Sequence, residues 1–115
     1  MLETTFQTKV LSKLRKIPKT WWVKVNDKAT VGVPDILGCV GNRFFALELK
    51  TQTRLSELQH YNLERIDACG SESFVVTPEN FEEIFAYILE ISKHGIGKKP
   101  ARIPIWTLPR LREKF

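Results

Sequence analysis

The chain has 115 residues, room for one domain, and an ordinary folded composition with 43% hydrophobic and 27% charged residues. No apolar run approaches the ~20 residues that a membrane-spanning helix needs, and residues 1–5 lack the basic-then-apolar pattern of a secretion signal. These features exclude a membrane span, a disulfide-rich secreted scaffold and a disordered polyelectrolyte. We therefore expect an intracellular protein.

The net charge of +5 is unevenly distributed along the chain. Residues 1–28 carry a net charge of +5, residues 29–91 a net charge of −6 and residues 92–115 a net charge of +6. Basic ends of this kind favour a polyanionic partner, because lysine and arginine neutralise phosphates and release their counterions. The same charges would also serve solubility alone, so the argument for nucleic acid depends on what the acidic middle contains.

The spacing of apolar and chain-breaking residues predicts three helices and four strands in the order αβββαβα. In chain order, the predicted elements are a helix over residues 3–16, strands over 21–25, 34–40 and 43–50, a helix over 56–68, a strand over 73–76 and a helix over 77–95. Gly41 and Asn42 form a two-residue hairpin turn, Gly70 ends the second helix, and Thr77 caps the third. The pattern predicts an α/β domain over residues 1–95, with a mixed central β-sheet flanked by helices.

Residues 96–115 form a basic C-terminal extension whose three prolines exclude one long helix. Its apolar residues need a surface to cover them. The extension would pack on its own domain, join a partner subunit or lie along nucleic acid. Packing on its own domain is the default, but the sequence does not separate the three alternatives.

The two cysteines give no sign of a metal site or a disulfide. Cys39 and Cys69 lie 30 positions apart, and neither has a cysteine or histidine at metal-ligand spacing. We expect both to be small core residues in a reducing compartment.

The predicted hairpin places two carboxylates side by side. Counting back from the Gly41–Asn42 turn, the register sets Asp35 directly opposite Glu48, and Lys50 shares the face of Glu48. Directly paired β-carbons lie ~4.5–5.5 Å apart, so the two acids repel each other unless something occupies the gap. The natural occupant is a hard divalent cation, which prefers oxygen ligands.

Two carboxylates, a divalent cation and a lysine suit the hydrolysis of a phosphodiester. The metal would lower the pKa of its water, while Lys50 would orient or activate the attacking water and stabilise developing negative charge. A surface hairpin with an acid on each strand and a compensating lysine is the alternative. Three features favour a catalytic site over a surface hairpin. They are the cross-strand register, the apolar opposite face of the third strand and the Gly-Val-Pro run before Asp35.

These residues resemble a known nuclease signature. The run GVPD at residues 32–35, followed by ELK at residues 48–50, resembles the PD-(D/E)XK motif. The run LSELQ at residues 55–59 makes the chain similar to the stand-alone VRR-NUC nucleases of phages and bacteria, which are neighbours of Holliday-junction resolvases. The resemblance implies a restriction-endonuclease-like core over about residues 3–91 and leaves the extension outside it.

The resemblance also implies roles for individual residues. Asp35 and Glu48 would bind the metal, with the backbone carbonyl of Leu49 as a further ligand, and Lys50 would be the catalytic lysine. Gln59 matches a glutamine that supports the lysine or the substrate. Its spacing from Ser56 also fits a capping box, in which the glutamine only satisfies a backbone amide, and both interpretations stay open.

Glu3 matches an acid that the family often carries on its first helix. Periodicity gives independent support, because Glu3 shares a helix face with Val10, Leu14 and Ile17. A carboxylate on an inward-facing stripe needs a partner such as a metal or the metal's water. The alternative is an ordinary first-turn acid that the helix dipole favours.

Several polar residues near the predicted site are candidates for contact with DNA. They are Lys13, Lys16, Lys24, Lys28, Thr30 and Arg54. For each of them taken singly, a solvated surface side chain is the alternative.

The resemblance implies a Mg²⁺- or Mn²⁺-dependent DNA endonuclease that acts on branched DNA such as Holliday junctions, in the cytoplasm of a bacterial cell or a phage-infected host. So small a chain covers little DNA, which favours a homodimer whose twofold symmetry matches that of a junction. The alternatives are a nuclease of linear duplex or flap DNA in repair or restriction, and a non-catalytic DNA-binding subunit with the same fold. A protein-interaction module would explain the apolar extension but not the paired acids.

Overall fold

The structure is a computed structural model that describes residues 2–26 and 29–110. The described residues form α1 (Glu3–Leu14), β1 (Thr20–Lys24), β2 (Ile36–Val40), β3 (Arg43–Leu49), α2 (Glu57–Ala68), β4 (Glu72–Val76), α3 (Phe81–His94) and a 3₁₀ turn (Ile105–Thr107). In this part of the chain, no helix is both long and apolar enough to cross a membrane.

The four strands form one mixed sheet in the order β1-β2-β3-β4. β2 pairs antiparallel with both of its neighbours, β1 and β3, whereas β4 runs parallel to β3 after the crossover through α2. The order αβββαβα and the mixed sheet flanked by helices are thus confirmed. The hairpin register is also confirmed, because Val40 pairs with Arg43 and Ile36 pairs with Leu47.

The main core lies between the sheet and the two helices α1 and α3. Alternate residues of β3, namely Phe45, Leu47 and Leu49, are fully buried in it, as a strand with one core-facing side requires. A smaller cluster of Leu55, Leu63 and Val75 lies on the other face of the sheet, beneath α2. The buried faces of β3 and β4 therefore hold the end of β3 rigidly, and the predicted site lies at that end.

The described part of the C-terminal extension packs against its own domain. The Val75 amide donates a hydrogen bond of 2.9 Å to the Arg102 carbonyl, and the Leu55 amide donates one of 2.7 Å to the Thr107 carbonyl. Ile103 packs against the smaller core cluster. Of the three alternatives that the sequence leaves open, these contacts favour packing on the same domain.

The prediction that both cysteines are core residues is wrong, because Cys39 and Cys69 are exposed. Cys39 lies on β2 in register with Trp21 of β1 and Phe44 of β3, and both aromatic side chains are also exposed. These three side chains remain exposed because α2 packs against β4, at the opposite edge of the sheet. Cys69 is the residue at the C-terminal end of α2, where its side chain meets solvent.

Thr77 does not cap α3, contrary to the prediction. The helix begins at Phe81, and Asn80 is its N-terminal flanking residue. Thr77 and Asn80 instead bond each other, with the Thr77 amide donating to Asn80 Oδ1 at 2.7 Å and the Asn80 amide donating to Thr77 Oγ1 at 3.3 Å. The residues between β4 and α3 therefore form a turn of their own. The predicted end of α3 is confirmed, since Gly95 adopts a left-handed conformation with φ 75°.

Candidate active site

Asp35 is held from both sides at the start of β2. Its backbone carbonyl accepts a hydrogen bond of 2.8 Å from the Val25 amide, next to β1. Its carboxylate oxygen Oδ2 accepts a bond of 2.8 Å from the Leu49 amide, on β3. The Asp35 carboxylate is therefore fixed at the end of the hairpin, and its other oxygen is directed away from the Leu49 amide.

Glu48 and Lys50 lie on the face of β3 opposite the main core. Glu48 is only 3% exposed and Lys50 only 7%. The Lys50 amide bonds the Val76 carbonyl, and its ammonium nitrogen Nζ lies 3.7 Å from Glu48 Oε2. One position beyond the Ile36–Leu47 pair, the hairpin register brings Asp35 to Glu48, and the two carboxyl groups share a hydrogen bond. The predicted acid pair and its lysine are thus adjacent.

Glu3 joins this group from the first turn of α1. Its carboxylate accepts a hydrogen bond from the backbone amide of Thr51, and it lies close enough to Asp35 and Lys50 to interact with their charges. The inward stripe of α1 carries it there, since Val10 on the same face is fully buried. The structure therefore brings together three acids and one lysine from α1, the start of β2 and the end of β3. This set is called the acid cluster below.

The acid cluster contains more negative than positive charge, and burial makes this costly. The pKa of Glu48 is raised to about 9, first by burial and then by the Asp35 charge, with the Lys50 ammonium acting in the opposite direction. Burial also raises the pKa of Glu3, and here too Lys50 acts in the opposite direction. The protonated form of Glu48 is therefore favoured when no cation is bound.

The donor set of the acid cluster fits a hard divalent cation. Carboxylate oxygens of Asp35 and Glu48 are the ligands that Mg²⁺ and Mn²⁺ prefer. The Leu49 amide points to the Asp35 side of β3, and a strand residue directs its amide and carbonyl to the same side, so the Leu49 carbonyl faces that side too. Within residues 2–26 and 29–110, no group of three or more Asp, Glu, His or Cys side chains is arranged to hold a metal. A bound ion would thus rely on two carboxylates, the backbone carbonyl, water and substrate oxygens.

Gln59 forms the capping box at the start of α2. Its side-chain oxygen Oε1 accepts a hydrogen bond of 2.9 Å from the Ser56 amide, and its own amide donates one of 3.1 Å to Ser56 Oγ. The structural role that the spacing suggested is therefore present. Oε1 keeps a second lone pair that could accept from Lys50, and the side-chain NH₂ group could donate to the substrate, so a role in supporting either stays a prediction.

The residues predicted to contact DNA come from several segments of the chain. Lys24 and Thr30 are exposed, at the end of β1 and in the loop that precedes Asp35. Arg54 donates a hydrogen bond of 3.1 Å to the Leu108 carbonyl, so part of its guanidinium holds the extension.

The two lysines predicted on or just after α1 have different surroundings. The Lys13 ammonium lies 5.9 Å from the centre of the Phe81 ring, beside α3, and Lys16 is exposed just beyond the end of α1. Lys28 falls outside the described residues.

Sequence reasoning missed two features near the acid cluster. One is the Thr51 amide that holds Glu3, and the other is a polar groove beside α1 that Gln7 and Arg15 help to line. Gln7 is 9% exposed although it is polar, and it lies one helical turn after Glu3. A polar residue on an otherwise apolar stripe was the available signal.

The mixed four-stranded sheet and its flanking helices are those of a restriction-endonuclease-like α/β core. No protein-family model matches the chain, and no curated protein is detectably similar to it. The fold is similar to that of Hjc, a Holliday junction resolvase from the archaeal hyperthermophile Archaeoglobus fulgidus, with a TM-score of 0.51 and 23% sequence identity. The match covers 64% of this chain and 66% of the resolvase, just under two thirds of each. At this identity the similarity establishes the fold, and it does not single out the VRR-NUC group.

Proposed function

We propose that this protein is a metal-dependent DNA endonuclease that hydrolyses phosphodiester bonds in branched DNA such as four-way junctions. The observation that carries the proposal is the acid cluster itself. Asp35 and Glu48 share one buried site with the Lys50 ammonium, 3.7 Å from Glu48. The similarity of the fold to that of a Holliday junction resolvase supports the choice of branched DNA.

The proposed reaction needs a divalent cation, Mg²⁺ or Mn²⁺, held by Asp35, Glu48 and the Leu49 carbonyl, with Glu3 acting through water. When bound, the cation would activate water for attack and neutralise charge on the phosphate. Lys50 donates a hydrogen bond to the phosphate or to the attacking water, and its position is fixed because Glu48 and the β3–β4 ladder hold it. The Thr51 amide orients Glu3 at the edge of the same site.

The proposal includes two finer points that extend the resemblance. The protein would act as a homodimer, so that two acid clusters related by a twofold axis cut two strands of a junction. It would also belong with the stand-alone VRR-NUC nucleases. Sedimentation of the purified protein, alone and with junction DNA, tests the first point.

The central experiment compares the natural protein with Asp35→Asn and Lys50→Ala. Asp35→Asn removes the negative charge but keeps an oxygen that can accept the Leu49 amide, so the hairpin end stays formed. Each protein is given four-way junction, flap, linear duplex and single-stranded DNA, with Mg²⁺, Mn²⁺ or EDTA. We expect metal-dependent cutting, strongest on the junction, which both variants lose by a factor of about 10³ or more while still binding DNA. The control is Lys93→Ala, which removes one exposed charge at the end of α3.

The other outcomes separate the alternatives. If linear or flap DNA is cut in preference to junctions, that DNA is the substrate and junctions are not. Tight binding without cutting under any condition would make the protein a non-catalytic DNA-binding subunit. Cutting that survives in Lys50→Ala would contradict the role given to the lysine.

A further inference from the structure

A groove of about 340 Å³, lined mostly by polar residues, runs between α1 and the edge strand β1. The residues that line it are Gln7, Thr8, Leu11, Ser12, Arg15 and Lys24. Its two charged residues are both basic and it contains no acid, although the acid cluster lies close by. The groove is therefore suited to a negatively charged ligand.

Both walls of the groove begin at the acid cluster. On α1, Gln7 lies one helical turn after Glu3 and on the same side of the helix. On β1, Lys24 is the last residue of the strand, and the next amide along the chain bonds the Asp35 carbonyl. A ligand in the groove would thus extend directly from the proposed cleavage site.

The groove presents hydrogen-bond donors as well as positive charge. Arg15 Nη2 donates to the Trp22 carbonyl at 3.3 Å, which fixes the guanidinium against the edge of β1. The remaining Arg15 N–H groups have no partner within the described part of the chain. Because the Val25 amide points to β2, alternation turns the Lys24 amide away from the sheet, towards the open edge.

Gln7 adds a donor at the inner end of the groove. Its side chain has no hydrogen-bond partner within residues 2–26 and 29–110. In these same residues, every side-chain nitrogen or oxygen that is sealed from solvent does have a partner. The Gln7 amide group must therefore reach solvent, and the solvent it reaches lies in the groove that it lines. A ligand that enters the groove would meet this amide group in place of water.

We propose that this groove binds the sugar–phosphate backbone of one DNA strand where it leaves the cleavage site. Arg15 and Lys24 contact phosphates, and Gln7 and Ser12 donate hydrogen bonds to the same strand. The twelve residue-to-residue steps from Glu3 to Arg15 span about 18 Å of helix, which equals the axial rise of about five nucleotides. This inference rests on the proposed function and adds to it the path of one strand.

The test joins protein variants to single changes in the DNA. Arg15→Ala, Arg15→Lys and Lys24→Ala are compared with the natural protein, with Lys93→Ala as the matched control for loss of one exposed charge. Binding to a four-way junction and to linear duplex is measured over a range of salt concentrations in EDTA. Each lost phosphate contact should reduce the salt-dependence slope by about 0.9, with Arg15→Lys close to the natural value and Lys93→Ala unchanged.

The second part locates the contact on the DNA. Uncharged methylphosphonate linkages replace single phosphates one at a time on the strand that is cut. A replacement about five nucleotides from the scissile phosphate should weaken binding by the natural protein but not by Arg15→Ala, because the variant has already lost that contact. If all proteins respond equally to every replacement, the groove does not bind the strand.

The outcomes also separate the groove from the proposed activity. Binding that depends on Arg15 and Lys24 without any cutting would support the groove and overturn the nuclease. Cutting by the natural protein with no effect of either substitution on binding or salt dependence would overturn the groove alone. Failure to bind any DNA would overturn both.

Discussion

Two buried glutamates on neighbouring strands have opposite surroundings. Glu72, at the start of β4, accepts a hydrogen bond from the Tyr87 hydroxyl. The Lys99 ammonium lies 3.3 Å from one of its oxygens, and Arg43 Nη1 lies 3.9 Å from the other. Two cations and a neutral donor thus surround one carboxylate, and the site is complete without a ligand.

Glu48, near the end of β3, has the reverse arrangement. Its nearest charged neighbours are the acid Asp35 and the single ammonium of Lys50, and Glu3 adds a further negative charge. Buried charges persist in proteins when they are paired, and the acid cluster is not fully paired by its own residues. Glu72 therefore stabilises the fold, whereas Glu48 needs a proton or an external cation.

The same substitution at both sites should have opposite effects on activity and stability. Glu48→Gln should abolish metal-dependent cutting, by a factor of about 10³ or more, without lowering the free energy of unfolding, because the folded protein no longer has to protonate a buried carboxylate. Glu72→Gln should keep the activity but lower the free energy of unfolding by about 1–3 kcal/mol, because it leaves two cations without their counterion. Cleavage assays and urea unfolding measure the two effects. Equal losses of activity at both sites would remove the distinction.

A second prediction concerns pH in the absence of divalent cations. The folded-state pKa of Glu48 is about 9, above its unfolded value of 4.5, so the folded protein binds more protons between these values. Stability from this group is fully present below pH 4.5 and is lost as the pH rises towards 9. Unfolding in EDTA should therefore show a downward slope over this range that Glu48→Gln lacks. Mg²⁺ should flatten the slope, because the metal replaces the proton. Parallel curves for the two proteins would contradict this account.

The Glu72 site should respond to pH at the alkaline end instead. Burial and the hydrogen bond to Glu72 raise the pKa of Tyr87 to about 12, from an ordinary value of 10. The stability that the neutral hydroxyl provides is present below pH 10 and is lost as the pH rises through 12. Tyr87→Phe should cost about 1–2 kcal/mol at pH 8 and should remove this alkaline loss. Unfolding measured from pH 8 to pH 11.5 checks both effects, with Tyr61→Phe as the control on an exposed tyrosine.

The smallest effect is expected for Lys99. Its side chain is 41% exposed, so solvent screens its interaction with Glu72, and Arg43 remains as a second cation. Lys99→Met should lower the free energy of unfolding by less than about 1 kcal/mol and leave cutting unchanged. A loss as large as that of Glu72→Gln would show that Lys99 alone balances the carboxylate.

The hairpin and its acids could be predicted from sequence because their determinants are local. The Gly41–Asn42 turn sets the register, and the register alone brings Asp35 to Glu48. The capping box of Ser56 and Gln59 also follows from a spacing of three residues. Such features depend on turn chemistry and alternation rather than on the rest of the fold.

The features that sequence reasoning missed depend on contacts between distant segments. Thr77 and Asn80 both suit a helix start, and a bond from Asn80 Nδ2 to the Val75 carbonyl on β4 decides in favour of Asn80. Exposure of Cys39 follows from where α2 lies on the sheet, which no local pattern encodes. The Glu72 site likewise joins β3, β4, α3 and the extension, so no spacing rule could have assembled it.

The bond between the Leu55 amide and the Thr107 carbonyl has a consequence for the order of folding. The acid hairpin closes over a short stretch of chain, and contacts of this kind form early. The loop after Lys50, in contrast, is held by a hydrogen bond to a segment that the ribosome makes about 50 residues later. During synthesis, Asp35 and Glu48 can therefore pair well before the Leu55–Thr107 hydrogen bond forms. The two carboxylates are thus brought together first, and the loop beside them is held in place only later.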